Sequence, residues 1–295
     1  MQYSKNTSIL KYGLIAVLLC LIISIFFYMQ FFLDKPVFLK HYYDLVIRED
    51  MRMNLHFITN SSDNIRINKI EFPQLPNDFA HIELDYFTNI SENGYFRSQT
   101  HTHYNYNELC LLIHVLGENE NENEESVILD KAVVHYSGGD SQEVDIGKII
   151  LHKNVKQTNM LTSEFTKSSN DNTSAEGFAP ADNIIDDIFI ESIKSDLNDE
   201  LKGIFELKLN GADVRDLSYP IDISAGEILR FESRFKFEPE DDRIYNVYDI
   251  HGRISVADSQ GNKGIMRILN LYYNPSEVFI SEKGIIQYLK EIGVR

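Results

Sequence analysis

Residues Tyr12–Leu33, YGLIAVLLCLIISIFFYMQFFL, run for 22 positions without a charge, and only Gln30 among them is strongly polar. No other feature restricts the chain as much. As a helix rising 1.5 Å per residue, such a run spans about 30 Å, the thickness of a bilayer's hydrocarbon core. Tyr12 and Tyr28 lie towards its ends, where interfacial aromatics are favoured. A cleaved signal peptide needs a shorter apolar stretch, about 7–15 residues, followed by small residues at the cleavage site. Here the run is longer and closes as FFYMQFFLDKP, with no small residue. Cys20 follows Val17, Leu18 and Leu19, and apolar sequence continues past it, which argues against a lipid-modified start. Residues 1–35 are therefore expected to form a short cytoplasmic tail and an uncleaved signal anchor. Lys5 and Lys11 favour a cytoplasmic N-terminus; Lys35, Lys40, Arg48 and Arg52 stand against them. Long domains translocate largely regardless of such charges, so the rest of the chain is placed outside.

The anchor region also shows where the charge lies. Its two lysines face no acid before residue 34, so the net charge of −17 becomes −19 over the remainder. A surface this acidic repels phosphate backbones and anionic headgroups, which argues against nucleic-acid binding. The two cysteines, Cys20 and Cys110, fall in different phases and cannot pair. The soluble region thus has no disulfide framework, unlike disulfide-rich secreted modules.

Beyond the anchor the periodicity is mainly that of strands. Met51, Met53, Leu55 and Phe57 alternate, as do Ile82, Leu84 and Tyr86. Ile65 and Ile67, then Ile70 and Phe72, show a phase slip that fits a β-bulge. ELCLLIHVL reads as a buried strand. Turn signals at Asn60–Asn64, Glu92–Gly94 and Ser137–Asp140 separate these runs. The spacing predicts a β-sandwich over 41–155. Residues 118–126, ENENENEES, should be a solvated loop, since adjacent like charges repel. The polar stretch 156–182 predicts a linker. A second sandwich is expected over 183–279, because two segments recur in order. NIRINKIEF (64–72) matches DIFIESIKS (187–195) in the spacing I-x-I-x-x-I, and Asp140–Ser141–Gln142 matches Asp258–Ser259–Gln260. Residues 184–201 also suit a helix face, but the repeat favours a strand at 187–194. Residues 280–295 predict a short helix with Ser281 as N-cap and Ile285, Leu289 and Ile292 on one face. Gly284 weakens that helix by about 1 kcal/mol against Ala, so it needs a surface to dock on. The fold class expected is mainly β: a transmembrane helix, two tandem Ig-like β-sandwiches and a C-terminal helix.

Motifs for chemistry are sparse. The chain has no Gly-rich phosphate loop, H-E-x-x-H, G-x-S-x-G or paired-cysteine zinc pattern. His101 and His103 in THTHYNY are the candidate metal ligands. On a strand, residues two apart share a face, so both imidazoles could approach one ion. A third ligand, His114 or His135, would depend on the fold, so no metal or cofactor is expected. Tyr104 and Tyr106 offer contact area for a partner or for edge packing alike. Cys110 reads as a buried, unreactive thiol. Glu238, Glu240, Asp241 and Asp242 read as a charged hairpin tip, and DSQGN (258–262) as a turn with Gly261 at positive φ. The anchor and the Asn-, Ile- and Lys-rich composition resemble, in style only, single-pass extracytoplasmic β-rich proteins of low-GC Gram-positive bacteria. That resemblance transfers no residue role. The function expected is a non-enzymatic, membrane-anchored binding or accessory protein of a cell-surface complex, with another membrane or surface protein as partner. The alternatives are a metal-dependent or hydrolytic surface enzyme and a membrane sensor, the latter with only 11 residues before the apolar run.

Overall fold

The computed structural model describes residues 2–48, 50–85, 95–117, 124–153, 155, 166–168, 174–179 and 187–295. The turn expected at Glu92–Gly94 and most of the expected linker lie outside the described residues. The chain opens with helix α1 (Gln2–Phe31). Strands β1 (Val37–Phe38), β2 (His41–Val46), β3 (Met51–Asn60), β4 (Ile67–Glu71) and β5 (Ala80–Leu84) follow. Then come β6 (Phe96–Thr100), β7 (Tyr104–Val115), β8 (Glu125–Tyr136) and β9 (Ser141–Lys153). The second half holds β10 (Thr166–Ser168), β11 (Ser174–Ala179), β12 (Ile188–Lys194) and the one-turn helix α2 (Asn198–Leu201). It continues with β13 (Phe205–Leu209), β14 (Ala212–Asp213), β15 (Ile221–Ile223), β16 (Leu229–Phe235), β17 (Val247–Asp258), β18 (Lys263–Tyr273) and helix α3 (Glu282–Glu291).

The fold is mainly β, with sandwich-like layers, one apolar N-terminal helix and a C-terminal helix. Within α1, the 21 residues Lys11–Phe31 are long and apolar enough to cross a membrane. The described side chains of residues 11–30 are exposed, and Phe31 is half-buried against the first core. The helix stops two residues before the end of the apolar run. Leu33 is instead buried in the body, because the Asn60 side chain grips its backbone on both sides.

A long eight-stranded sheet runs β15-β12-β17-β2-β9-β8-β4, with β18 also paired to β17. Two five-stranded sheets cover it. One, β1-β3-β7-β5 with β6 on β7, packs over the first half; the other, β10-β11-β16-β13-β14, belongs to the second half. Burying apolar residues between these layers gives two cores. Leu55, Phe57, Leu109, Leu111, Ile149 and Leu151 are central to the first. Ile190, Leu229, Phe231, Ile250 and Ile254 are central to the second. The alternation expected in β3 holds from Met51 to Leu55, with Met51 half-buried. From Leu55 to Asn60 every residue is buried, Phe57 among them, because this end lies between the layers.

The recurring segments occupy equivalent places. β4 pairs antiparallel with β8, with a bulge between Ile67 and Lys69; β12 pairs antiparallel with β17, with a bulge between Ile190 and Ser192. In the I-x-I-x-x-I alignment these are the same positions. Each partner strand then turns into a hairpin, β8–β9 and β17–β18. Among the described residues of the 184–201 stretch, helix is confined to α2. The turn at 258–262 has Gly261 at φ +84°, and the Asp258 carboxylate accepts from the Gln260 and Asn262 amides.

Helix α3 starts after Ser281, as its sequence predicts, although the Ser281 hydroxyl makes no capping bond. It sends Ile285, Tyr288 and Leu289 into the first core, not the second. Gly284 is needed there, because a Cβ would collide with the Val278 carbonyl. The acidic stretch at 238–242 is not a hairpin tip, since it links β16 and β17 of different sheets. Asp241 instead accepts from the Arg243 backbone amide (3.0 Å) and guanidinium (2.8 and 2.6 Å), bracing a single 3-10 turn.

Candidate functional site

His101 and His103 do not lie on a strand. They occupy the bend between β6 and β7, closed by the His101 amide donating to the Tyr104 carbonyl (2.8 Å). The Thr100–Asn105 pairing leaves four residues to turn the chain, so the two-residue periodicity fails here. The imidazoles part company. His101 Nε2 lies 2.9 Å from the Phe279 carbonyl oxygen. His103 Nδ1 lies 3.3 Å from both Glu282 carboxylate oxygens, and its ring stacks on Phe31 at 4.3 Å. His114 is elsewhere, between Asp50 and Glu83, and His135 faces Glu71.

This bend forms part of a socket around the base of α1. The Leu33 amide donates to Asn60 Oδ1, and Asn60 Nδ2 donates to the Leu33 carbonyl, both at 2.8 Å. Asp63 orients Asn60 in turn (3.0 Å). The Arg295 guanidinium lies 4.3 Å from the Phe31 ring centre and donates to the Gln30 carbonyl. Thus β3, the β6–β7 bend and the C-terminal segment all hold the foot of the apolar helix.

A second site lies where the two halves of the long sheet join. β17 pairs with β2 through Val247–Ile250 and with β12 through Arg253–Asp258, so its neighbour changes midway along one edge. Backbone donors at such a changeover need side-chain acceptors. The Asp44 carboxylate takes the Asp196 amide (2.7 Å) and the Ser195 hydroxyl (2.8 Å), and His251 Nδ1 takes the Val46 amide (3.1 Å). His152 Nε2 lies 2.9 Å from Asp44 Oδ1. Arg253, 8% exposed, donates to Asp196 (2.7 Å) and Glu124 (2.6 Å) and sits 3.8 Å from Asp44. Burial pushes the Asp44 carboxyl up, but the His152 hydrogen bond, the Arg253 charge, Ser195 and the Asp196 amide outweigh it and hold the group below its ordinary range. Burial acts to lower the Arg253 guanidinium, and the carboxylates of Asp44, Asp196 and Glu124 more than offset it.

Among the described residues, Asp44, His152 and Asp196 are the three ligating side chains close enough to share an ion, with ligand atoms within 4.8 Å of one another. Arg253 already supplies the positive charge these acids need, so the set reads first as an ion-pair network buried at Asp44, His152 and Arg253 and open to solvent at Asp196. It is not a nucleophilic triad either: Ser195 and His152 both contact Asp44 instead of each other. Glu124 shows that the acidic tract is not wholly solvated, because its last part folds onto Arg253. Sequence reasoning missed this cluster because residues 44, 152, 196 and 253 are remote in the chain. The available signal was an ionisable residue inside an apolar strand run, as in YYDLV, IILHK and HGRIS.

Ser195 also borders a cavity of about 490 Å³ in the second half. Its inner walls are Leu201, Leu207, Ile250 and Leu271, all buried. The loop after β14 contributes Val214, Leu217 and Tyr219. Among the described residues, the charged ones lining it are Lys194, Lys202 and Arg215, with no acid.

A chain of rings, buried at His56 and Tyr106 and exposed at Tyr272, ties the upper sheet of the first half to the long sheet. His56 Nδ1 lies 2.9 Å from the Tyr106 hydroxyl and Nε2 lies 3.0 Å from the Tyr272 hydroxyl, so one nitrogen donates and the other accepts. Burial lowers His56 to about 3. His41, whose Nε2 accepts the His56 amide (2.8 Å), is held well below its ordinary value by burial and by His56.

No protein-family model and no curated protein matches this sequence. Among solved structures, the sialic-acid-binding region of a Streptococcus sanguinis SK1 adhesin aligns at 10% identity and a TM-score of 0.24, over 80% of this chain and 77% of that one. Zebrafish RET cadherin-like domains 1 to 4 align at 11% and 0.23, over 81% and 51%. The Bacillus cereus major pilin subunit BcpA, as a D312A variant, aligns at 12% and 0.19, over 84% and 67%. Superpositions this loose carry no argument about what the chain binds.

Proposed function

We propose that this is a single-pass membrane protein whose β body lies outside the cytoplasm and serves as a non-enzymatic binding or accessory subunit of a cell-surface complex. The observation that carries it is the socket. An apolar helix with its sides unburied is fixed at one end, through Asn60, His103 and Arg295, to a rigid sandwich. A flexible tether would serve to retain a domain; a gripped one also sets its attitude to the bilayer, which suits a subunit presenting one surface to a neighbour. The partner is another membrane or surface protein. Protease added to intact cells should digest the body while leaving cytoplasmic markers whole. Full protection of the body would reverse the topology.

A metal-dependent enzyme is the second reading, and the Asp44–His152–Asp196 set is what favours it. Elemental analysis of the purified chain decides between them. About one zinc or copper per chain, lost on His152→Ala, would replace the binding reading with the enzymatic one.

A further inference from the structure

The cavity beside Ser195 combines three properties that a chance crevice need not share. Its volume, about 490 Å³, lies within the range of small-molecule sites. It is floored by the second core, so an occupant would rest on Leu207, Ile250 and Leu271 rather than on solvated loops. Among the described residues its charged rim is cationic, in a chain with 45 acids and 28 bases, the reverse of what that composition would distribute by chance.

The acids nearby are already engaged or turned away. Asp196 is taken by Arg253 and Glu200 by Lys148 (2.8 Å). Asp213 receives the Arg215 side chain through Nε (2.9 Å) and a terminal nitrogen (2.5 Å), and it also accepts the Arg215 amide. Asp199 on α2 does not line the cavity. Lys194 and Lys202 have no ion-pair partner among the described residues. The loop wall is pre-formed by the Arg215–Asp213 fork and by the Tyr219 hydroxyl, which donates to the Val214 carbonyl (3.2 Å). Holding a wall in place before binding removes an ordering cost.

We propose that this cavity binds an anionic amphiphile: a small apolar body carrying one carboxylate or phosphate. The apolar part lies against Leu207, Ile250 and Leu271, and the anionic head meets Lys194 and Lys202 at the rim. Burial of the apolar part supplies affinity, and the lysines select for charge. Two sources share this chemistry, a free long-chain carboxylate and the head region of an anionic phospholipid.

The test uses the full chain in phosphatidylcholine nanodiscs and a diazirine-bearing dodecanoate, with labelled sites mapped by mass spectrometry. Label is expected in peptides covering residues 193–219, about tenfold above that from the matching dodecanol. Lys194→Gln/Lys202→Gln should cut the dodecanoate label about tenfold and leave the dodecanol label unchanged. Both lysines are exposed, so that variant should fold normally. Leu217→Trp, which fills the cavity without touching the charges, should block both probes. Unlabelled dodecanoate should compete; stronger competition from phosphatidylglycerol in the disc would assign the phospholipid as the source. Equal labelling by acid and alcohol, label confined to α1, or an unchanged lysine variant would each overturn the proposal. None of these outcomes depends on which side of the membrane the body faces, so the topology can fail while this stands, and the reverse.

Discussion

The two halves of the long sheet use one motif and finish it differently. In the first, β4–β8–β9 ends with β9 handing its free edge to β2, in parallel register from His41–Gly147 to Val46–His152. In the second, β12–β17–β18 shares the edge of β17 between β12 and that same β2. The same strand, bulge and hairpin thus give a self-contained edge in one copy and a divided edge in the other. The divided edge is where the buried charges gather, because a change of neighbour leaves backbone groups that a regular ladder would satisfy. A repeat is informative where it breaks symmetry, and here it does so at Ile250–Arg253.

The largest effect should come from removing the acid that serves both halves. Asp44→Ala leaves Arg253 and the Asp196 amide short of a buried partner and should cost about 3–5 kcal/mol. Chemical denaturation measures the loss, and hydrogen exchange locates it. Protection should fall in β3 of the first core and in β13 of the second alike. A loss confined to one core would mean that the junction does not couple them.

Next come the close approaches on the first side. Gly147, at φ +94°, faces β2 so tightly that a Cβ would lie 2.5 Å from the His41 carbonyl oxygen. Gly147→Ala should lose about 2–4 kcal/mol by strain and displacement of β2. Gly284→Ala pushes α3 off the first core and should lose about 1–3 kcal/mol, with exchange rising around Tyr288 and Phe279 while β13 and β16 stay protected. Equal loosening of both cores by Gly284→Ala would erase the contrast between a local dock and a shared strand.

Acid should separate the halves further. His56 stays neutral in the folded state down to about 3, whereas in the unfolded chain it takes a proton near 6.5. The unfolded state therefore binds more protons below that value, and stability falls as pH drops. The loss should reach about 2 kcal/mol between pH 6.5 and 5 from His56, with His41 adding in the same direction. Asp44 acts lower on the scale: its contribution is present above the ordinary Asp value and is lost as pH falls through its depressed folded value. Melting curves of His56→Gln should be flatter over pH 6.5–5 than those of the parent. Identical slopes would show that the ring chain does not carry the acid sensitivity.

The smallest effect is expected from cutting the chain. We propose that units 41–155 and 183–279 are joined by residues 156–182, although β10 and β11 within that stretch pair into the sheet of the second half, and that limited proteolysis cuts first in 156–182 outside those two strands. The fragments should retain β-type circular dichroism and co-elute on size exclusion, because β2–β17 pairing and α3 hold them together. Immediate separation of the nicked fragments would show that the shared sheet is weaker than its hydrogen bonding implies.

Local pattern reached far into this molecule and then stopped at contacts between distant residues. The apolar run gave α1, the alternation from Met51 to Leu55 gave the start of β3, and ELCLLIHVL fell in β7 up to Val115. Ile285 and Leu289 gave the buried face of α3, whereas Ile292 lies past the helix end and is exposed. The slip after Ile67 located a bulge, because one inserted residue inverts the inward face. His101 and His103 were misplaced because periodicity cannot tell a strand from the turn that follows it. Asp44, His152, Asp196 and Arg253 were invisible as a group, since nothing local says that residues some 200 apart will touch. The cavity was hidden for the same reason: its walls come from β12, α2, β13, β17, β18 and the loop after β14.

The position of β2 also orders events in time. It emerges early in synthesis, yet its partners β9 and β17 lie roughly 100 and 200 residues downstream. A chain made from its N-terminus must carry this strand with both edges open until β9 arrives, and with the edge that β17 takes open until most of the chain has been made. The second half reaches the sheet of the first only through β17, so the junction forms late. Until then the nascent body exposes a strand that any extended segment nearby can capture.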